Sequence, residues 1–323
     1  MKSHTLKETK HPDVFRVVDR DGNWENYFIK SKNAYLPGVT TILKRGYAKG
    51  AFFEQWLANH TAEEQKQILD AASEKGDKVH RAIDIILTSP GTFKLDHETG
   101  IYNRETKDYE PLSNEEWDAL LAFASFWNAH EPVVIASEAT LYSTAYSYAG
   151  TADAILILTK KCEVKACKCE ELVGQVGIFD WKTSSGIRAS YSAQVAAYAY
   201  AGNLPEYLPK GAGIDYTAIL RIGTNHKTTG GYELKSFLRE DTSAAFDRFI
   251  AAKRIADFEH KPFNPDEDIT EIPDQIELTV KKLVADLKLA ETPKAETKNT
   301  NTNGKTKGNR GKASHRSKAR ARN

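Results

Sequence analysis

The feature that most constrains the fold is a pair of apolar segments that each carry an aspartate. The first, YAGTADAILIL (148–158), contains Asp153; the second, VGIFDWK (176–182), ends in Asp180 and Lys182. Short apolar runs of this kind predict buried strands. Because side chains alternate along a strand, Asp180 and Lys182 share one face of the sheet. A buried charge is costly unless it is paired or metal-bound, so the segments predict either a polar site or, more simply, a charge pair at strand ends.

An alanine-rich segment after the turn Thr183-Ser184-Ser185-Gly186 predicts a helix. Gln194 and Tyr198 are four residues apart and therefore share one face of that helix, either beside the aspartates or as the polar edge of a core helix. Carboxylate oxygens suit Mg²⁺ or Mn²⁺, which keep several waters and bind substrate phosphates. The sequence thus favours a hard-metal site.

Further elements surround these segments. The patterns predict a hairpin over 15–29, a β-prone segment over 36–43, helices over 52–59 and 62–88, a loop over 89–112, a helix from the capping box of Ser113 and Glu116 to about 129, antiparallel strands over 133–142 and 145–158, a hairpin of 216–222 with 231–237, and a helix over 241–258. Gly76 either interrupts the 62–88 helix or divides it in two.

The predicted domain organisation is one globular domain over 13–262, with a cysteine-bearing insert at 159–174. Residues 1–12 and the tail 291–323 are predicted to be disordered, and 263–290 to form a peripheral helix. From Lys294 onward there are ten Lys or Arg and one Glu, a net charge of +9, which leaves −8 for the rest because the whole chain carries +1. This asymmetry suggests a polyanionic partner, with a solubilising or localising tail as the simpler alternative.

Three cysteines, Cys162, Cys167 and Cys169, lie in the insert. An odd number argues against a disulfide scaffold, and an iron–sulfur cluster or a zinc knuckle lacks a fourth cysteine. We therefore expect ordinary reduced thiols and no cluster. The N-terminus has no apolar stretch typical of a signal peptide, and no apolar run is long enough for a membrane span, so we expect a cytoplasmic protein without a membrane partner.

Two more candidates for the site are His80, on a predicted helix with Asp84 one turn later, and Glu138, in a predicted strand. Taken singly, each is more typical of an ordinary surface or packed side chain. In order along the chain, however, GDKVH (76–80), GTAD (150–153), DWK (180–182) and QVAAY (194–198) resemble the PD-(D/E)XK nuclease superfamily, in its RecB-type and phage-type exonuclease branch. The resemblance extends from about residue 36 to 258. Two departures are the insert and the Gly-x-Ala form before Asp153, where the superfamily is named for Pro-Asp.

The resemblance implies an α/β fold with a restriction-endonuclease-like core, in which helices flank a mixed central sheet, plus an N-terminal β-hairpin and a helical addition. It implies one or two Mg²⁺ or Mn²⁺ ions held by His80, Asp153, Asp180 and the Trp181 backbone carbonyl. Lys182 would orient or deprotonate the attacking water, or offset charge on the phosphate. Gln194 and Tyr198 would contact the nucleic-acid backbone or brace the site, and Asp84 or Glu138 would support a ligand.

The activity implied is metal-dependent hydrolysis of DNA phosphodiester bonds, as an exonuclease more than an endonuclease. By analogy, a phage or mobile-element protein in replication or recombination is expected, with a recombination or single-strand-binding protein as a possible partner. Two alternatives are an inactive nuclease fold that binds DNA, and a hydrolase that uses Asp153 and Asp180 without metal.

Overall fold

The structure, a computed structural model, describes residues 4–19, 24–89, 91, 95–103, 106–164, 167, 169–223 and 230–263. Its strands are β1 (Thr5–Glu8), β2 (Val14–Val18), β3 (Trp24–Ile29), β4 (Ala34–Pro37), β5 (Ile101–Asn103), β6 (Asp108–Glu110), β7 (Val133–Ser143), β8 (Tyr148–Ile157), β9 (Val176–Lys182), β10 (Tyr216–Ile222) and β11 (Tyr232–Leu238). Its α-helices are α1 (Val39–Gly46), α2 (Ala51–Ala58), α3 (Ala62–Thr88), α4 (Asn114–His130), α5 (Ala189–Ala199) and α6 (Arg239–Glu259). The predicted peripheral helix from residue 264 onward and the basic tail lie outside the described residues.

The fold is mixed α/β, built on a five-stranded sheet with the order β11-β10-β9-β8-β7. Strands β9 and β10 are parallel, whereas the other neighbours are antiparallel. A parallel pair requires a crossover connection, and α5 provides it between β9 and β10. A second sheet, in the order β1-β2-β3-β4, packs through Tyr27, Ile29 and Leu36 against Ala149 of β8.

Helices cover both faces of the five-stranded sheet. Phe179 and Trp181 of β9 pack in a core with α3 and α4, while Ile178 packs in a core with α1, α5 and α6. Because both faces are covered, β8 and β9 read as nearly continuous apolar runs in the sequence. By the same alternation, Asp180 faces the side of the sheet that carries α5. This places the acid beside Gln194 and Tyr198.

Segment 36–43, predicted to be β-prone, contains the end of β4 and the start of α1. The apolar face of α1, with Val39, Ile42 and Leu43, is buried in a core shared with α6. Gly46 lies so close to α6 that a Cβ there would be 1.8 Å from the Ala252 carbonyl oxygen. Packing against α6 therefore outweighs the low helix propensity of the β-branched residues.

Two other segments also differ from the sequence-based expectation. Residues 5–8, expected to be disordered, form β1, which pairs with β2 while all four of its side chains are exposed. Backbone hydrogen bonds hold this strand in the sheet, so its sequence has no apolar pattern from which a strand could be predicted. The predicted loop 89–112 contains the short pair β5–β6. The helix predicted over 62–88 is confirmed as α3, which continues through Gly76 without a break.

The remaining predicted elements agree with the structure in type and within a few residues, including the capping box of Ser113 and Glu116 on α4. Within the described residues, no helix has both the length and the apolar character that crossing a membrane requires.

Candidate active site

Asp153 and Asp180 approach each other where β8 and β9 stop pairing. The last pair of that ladder at this end is Ala154 with Phe179, so both aspartates lie just beyond it. There the Trp181 N–H donates to Asp153 Oδ2 at 2.6 Å. The side chain of Asp153 thus takes over the role of a ladder acceptor, and this bond fixes the carboxylate beside the end of β9.

His80 and Glu138 lie around Asp153. His80 Nδ1, on α3, is 3.1 Å from Asp153 Oδ1. Glu138, on β7, completes a cluster with them: one potential ligand atom from each of the three residues lies within 4.8 Å of the other two. Glu138 has a φ of +51°. A left-handed conformation is strained for a residue with a side chain and is often found at functional sites. Arg16 approaches Glu138 on its other side, with 3.9 Å between Nη2 and Oε2.

The Asp180 carboxylate is held by two elements. Lys182 Nζ lies 2.5 Å from Asp180 Oδ2, while Gln194 Nε2 on α5 donates to Asp180 Oδ1 at 2.7 Å and lies 3.1 Å from the Tyr198 hydroxyl oxygen. The Lys182 amine also lies over the Tyr191 ring, 4.9 Å from its centroid. Gln194 and Tyr198 are both buried. Gln194 therefore links the Asp180 carboxylate to the Tyr198 hydroxyl.

The packing around Gly150 explains why the motif GTAD begins with a glycine. A Cβ at this position would lie 2.6 Å from Tyr198 Cε1 and 3.1 Å from Val39 Cγ2. The ring of Tyr198 therefore occupies the space that any other side chain on residue 150 would need. With its ring packed against Gly150, Tyr198 has its hydroxyl in contact with Gln194.

The buried groups shift each other's pKa values. Burial opposes protonation of His80, but the adjacent Asp153 carboxylate outweighs it and raises the pKa of His80 to about 9. Burial opposes ionisation of Asp153, but His80, Lys182 and the Trp181 N–H together outweigh it and lower the pKa of that carboxyl group. Without a metal, His80 and Asp153 therefore form an ion pair at neutral pH.

The other two carboxyl groups shift upward. Burial, helped by the Asp153 charge, raises the pKa of Asp180 to about 6 even though Lys182 opposes the shift. Burial and Asp153 raise the pKa of Glu138 to about 7. Burial disfavours the charged amine of Lys182, but Asp180 and Asp153 together outweigh this and raise its pKa.

The structure brings His80, Asp153, Asp180, Lys182, Gln194 and Tyr198 into one contiguous network, with the Trp181 backbone inside it. Asp84 is occupied elsewhere: it accepts a hydrogen bond from Ser137 and pairs with Lys10.

Glu138 is closer to the centre of the site than a supporting role requires, since its carboxylate belongs to the cluster with His80 and Asp153. The signal for it in the sequence is one acid within the strand VVIASEATLY. That signal is weak, because an outward-facing strand residue gives the same pattern.

Comparison with known proteins adds little to this geometry. No protein-family profile matches the chain, and no curated protein matches its sequence. Among solved structures, an alkaline exonuclease (LHK-Exo) from Laribacter hongkongensis superposes with a TM-score of 0.29 and 10% identity, over 65% of this chain and 93% of that one. The structure of LHK-Exo in complex with dAMP gives the same values. Similarity at this level identifies neither the fold family nor the activity of this chain.

Proposed function

We propose that this chain is a metal-dependent nuclease with a PD-(D/E)XK core that hydrolyses DNA phosphodiester bonds. The observation that carries the proposal is the meeting, at the open end of the β8–β9 ladder, of the His80, Glu138 and Asp153 cluster with the buried Asp180–Lys182 pair. The order of the four sequence motifs supports the same assignment. The proposal rests on this chain's residues and not on the LHK-Exo similarity.

The donor atoms fit a hard divalent cation. Asp180 Oδ2 is buried, and its partner is the Lys182 amine at 2.5 Å. The carboxylates of Asp153 and Glu138 and the imidazole of His80 form the neighbouring cluster, and carboxylate and imidazole donors of this kind suit Mg²⁺ or Mn²⁺. We propose Asp153, Asp180 and His80 as ligands together with the Trp181 carbonyl, and add Glu138. When bound, such an ion lowers the pKa of a water ligand and neutralises charge on the phosphoryl group.

Lys182 has the position and charge to act on the substrate. Its amine is held at Asp180, and its raised pKa keeps it protonated at neutral pH. A protonated amine donates hydrogen bonds and offsets negative charge that develops on the phosphate, but it cannot accept a proton. In the protonated form, the roles open to Lys182 are orienting the attacking water and offsetting charge on the phosphate, and we propose these for it.

The other polar residues hold these groups in position. The Trp181 N–H fixes one Asp153 oxygen, so that Oδ1 faces His80. Gln194 fixes Asp180 Oδ1 and is itself in contact with Tyr198. Both aspartates thus have one oxygen committed to the protein scaffold. We propose that a metal ion takes the second oxygen of each, which in the metal-free protein is paired with His80 in Asp153 and with Lys182 in Asp180.

For the substrate, we propose linear DNA degraded from its ends, in phage or mobile-element replication or recombination, on the strength of the motif resemblance. The basic residues of the described body support a role for the tail in DNA binding, because several already have acidic partners. These ion pairs are Lys78–Glu116 at 3.3 Å, Arg81–Glu110 at 2.6 Å and Arg221–Glu233 at 2.6 Å.

The test compares cleavage of linear and circular, single- and double-stranded DNA and of RNA, with Mg²⁺, with Mn²⁺ and with EDTA. We expect metal-dependent release of short products from linear DNA alone. Cleavage of circular DNA would replace exonuclease by endonuclease. Hydrolysis that persists in EDTA would favour a metal-independent carboxylate pair, and DNA binding without cleavage would favour an inactive fold.

Lys182→Ala should lose more than nine-tenths of the rate, about 1.4 kcal/mol of barrier or more, while DNA binding in Ca²⁺ persists. Lys66→Ala is the control, because Lys66 lies on α3 in an exposed ion pair with Asp70 and should change nothing. A Lys182→Ala rate above one-tenth of wild type would remove Lys182 from the reaction.

A further inference from the structure

A second cluster of potential ligands lies in the 159–174 insert, at the opposite end of β9 from Asp180. One ligand atom each from His130, Cys162 and Cys169 lies within 4.8 Å of the others, and the two sulfurs are 3.4 Å apart. The Cys167 thiol contacts both of the other thiols. A histidine about 30 residues upstream, at the end of α4, thus lies beside the cysteines of the insert.

The backbone of the insert orients the His130 ring. The carbonyl of His130 accepts the N–H groups of Thr159 and Lys160, each at 3.1 Å, and its Nδ1 lies 3.2 Å from the Lys160 carbonyl oxygen. Since that carbonyl can only accept, Nδ1 carries the proton, and the lone pair is on Nε2. A hydrogen bond from the second ring nitrogen to a carbonyl is the usual support of a metal-binding histidine.

The sulfur atoms have similar support. The Cys162 N–H donates to Cys169 Sγ at 3.3 Å, a bond that stabilises a thiolate. The Tyr232 hydroxyl, on β11, lies 3.2 Å from His130 Nε2 and also contacts Cys162, so it is placed to turn from the imidazole towards a thiolate. His130 and Cys169 are buried. Cys162 and Cys167 are partly exposed, so the cluster joins sulfur donors and one imidazole at the edge of the core.

We propose that Cys162, Cys167, Cys169 and His130 Nε2 bind one structural Zn²⁺ ion. Three thiolates and one imidazole are a common tetrahedral zinc set, and a Zn–S distance of about 2.3 Å places ligand sulfurs about 3.8 Å apart. The separations among His130, Cys162 and Cys169 match a single ion, whereas a multi-iron cluster would spread its ligands further. The ion would fasten the insert to the end of α4 and to β11. This inference is independent of the proposed nuclease activity.

The experiment is elemental analysis of the full chain, purified without a polyhistidine tag from zinc-supplemented cells. We expect about one zinc per chain. Replacement by Co²⁺ should give the thiolate-to-metal charge-transfer and intense visible bands typical of tetrahedral sulfur coordination. Cys167→Ser, chosen because Cys167 is only partly buried, should lower the zinc content at least about tenfold and abolish the charge-transfer band.

Two controls assign the ion to this cluster. Asp153→Asn removes a proposed ligand of the other site, and His260→Asn removes an exposed histidine; both should retain the zinc. Loss of zinc in Asp153→Asn together with retention in Cys167→Ser would overturn the proposal. So would a wild-type chain with neither zinc nor a cobalt charge-transfer band, a Cys162–Cys169 disulfide, or bound iron and sulfide. The wild-type cobalt spectrum decides the question even where a variant fails to fold.

Discussion

Gly150→Ala is a small change that should disturb the candidate site through a single packing contact. The new Cβ would lie 2.6 Å from Tyr198 Cε1, whereas ordinary contact begins at 3.4 Å. Val39 blocks movement of the Cβ on its other side, at 3.1 Å. The Tyr198 ring, which is almost fully buried, therefore has to shift by about 0.8 Å.

The size of the effect follows from that overlap. Overpacking a buried site costs about 1–3 kcal/mol, and each kcal/mol lowers Tm by roughly 2–4 °C in a domain of this size. The shift also reaches the site, because the Tyr198 hydroxyl contacts Gln194 and Gln194 holds Asp180. A displacement approaching 1 Å in a positioned group lowers the rate by about tenfold to a hundredfold.

Chemical denaturation and single-turnover cleavage measure the two effects separately. Gly202→Ala is the matched control, because its Cβ would meet its nearest neighbour, the Tyr142 carbonyl oxygen, at an ordinary 3.7 Å. We expect this control to change the unfolding free energy by less than about 0.5 kcal/mol.

A double-mutant cycle with Tyr198→Leu identifies the contact responsible. The smaller side chain leaves room for the new methyl group, so the double variant should be more stable than the sum of the single changes by at least about 0.5 kcal/mol. If Gly150→Ala matches Gly202→Ala in both stability and rate, the proposed link from Gly150 through Tyr198 to Asp180 is wrong.

Two further predictions concern the metal and the tail. A metal on His80 must displace the proton that its pKa of about 9 retains, so calorimetric Mn²⁺ affinity should rise with pH, by up to about tenfold between pH 7.5 and 8.5. In the metal-free protein the His80–Asp153 pair stabilises the fold fully between about pH 4 and pH 6.5, the ordinary pKa values of the two groups. This stabilisation is lost as pH rises through 9, and also as pH falls through the lowered pKa of Asp153. His80→Ala should weaken binding and flatten the pH dependence of affinity; an unchanged slope would exclude His80 as a ligand. Deleting residues 294–323 removes a net charge of +9, so DNA affinity should fall. The slope of log K against log salt concentration should become shallower by about 0.9 for each lost phosphate contact. The cleavage rate at saturating DNA should change little. Equal affinity and equal slope would show that the tail does not contact DNA.

The sequence by itself determines the elements whose side chains follow a strong local pattern. The apolar runs of β8 and β9 identify buried strands because both faces of the sheet are covered. The Ser113 capping box marks the start of α4 because both of its hydrogen bonds are local. The same local rules do not show α1, whose helix depends on contact with α6, or β1, which is held by backbone bonds to a neighbouring strand.

The two ligand clusters show what the tertiary structure alone decides. Asp153 and Asp180 are recognisable in the sequence as charges in apolar strands, but their partnership depends on where the β8–β9 ladder ends. Glu138 joins them through a left-handed backbone conformation that its residue type does not predict. His130 reaches the cysteines only because the insert folds back on the end of α4. Local sequence patterns record which face of an element is apolar, whereas bringing together side chains distant in sequence depends on packing between elements.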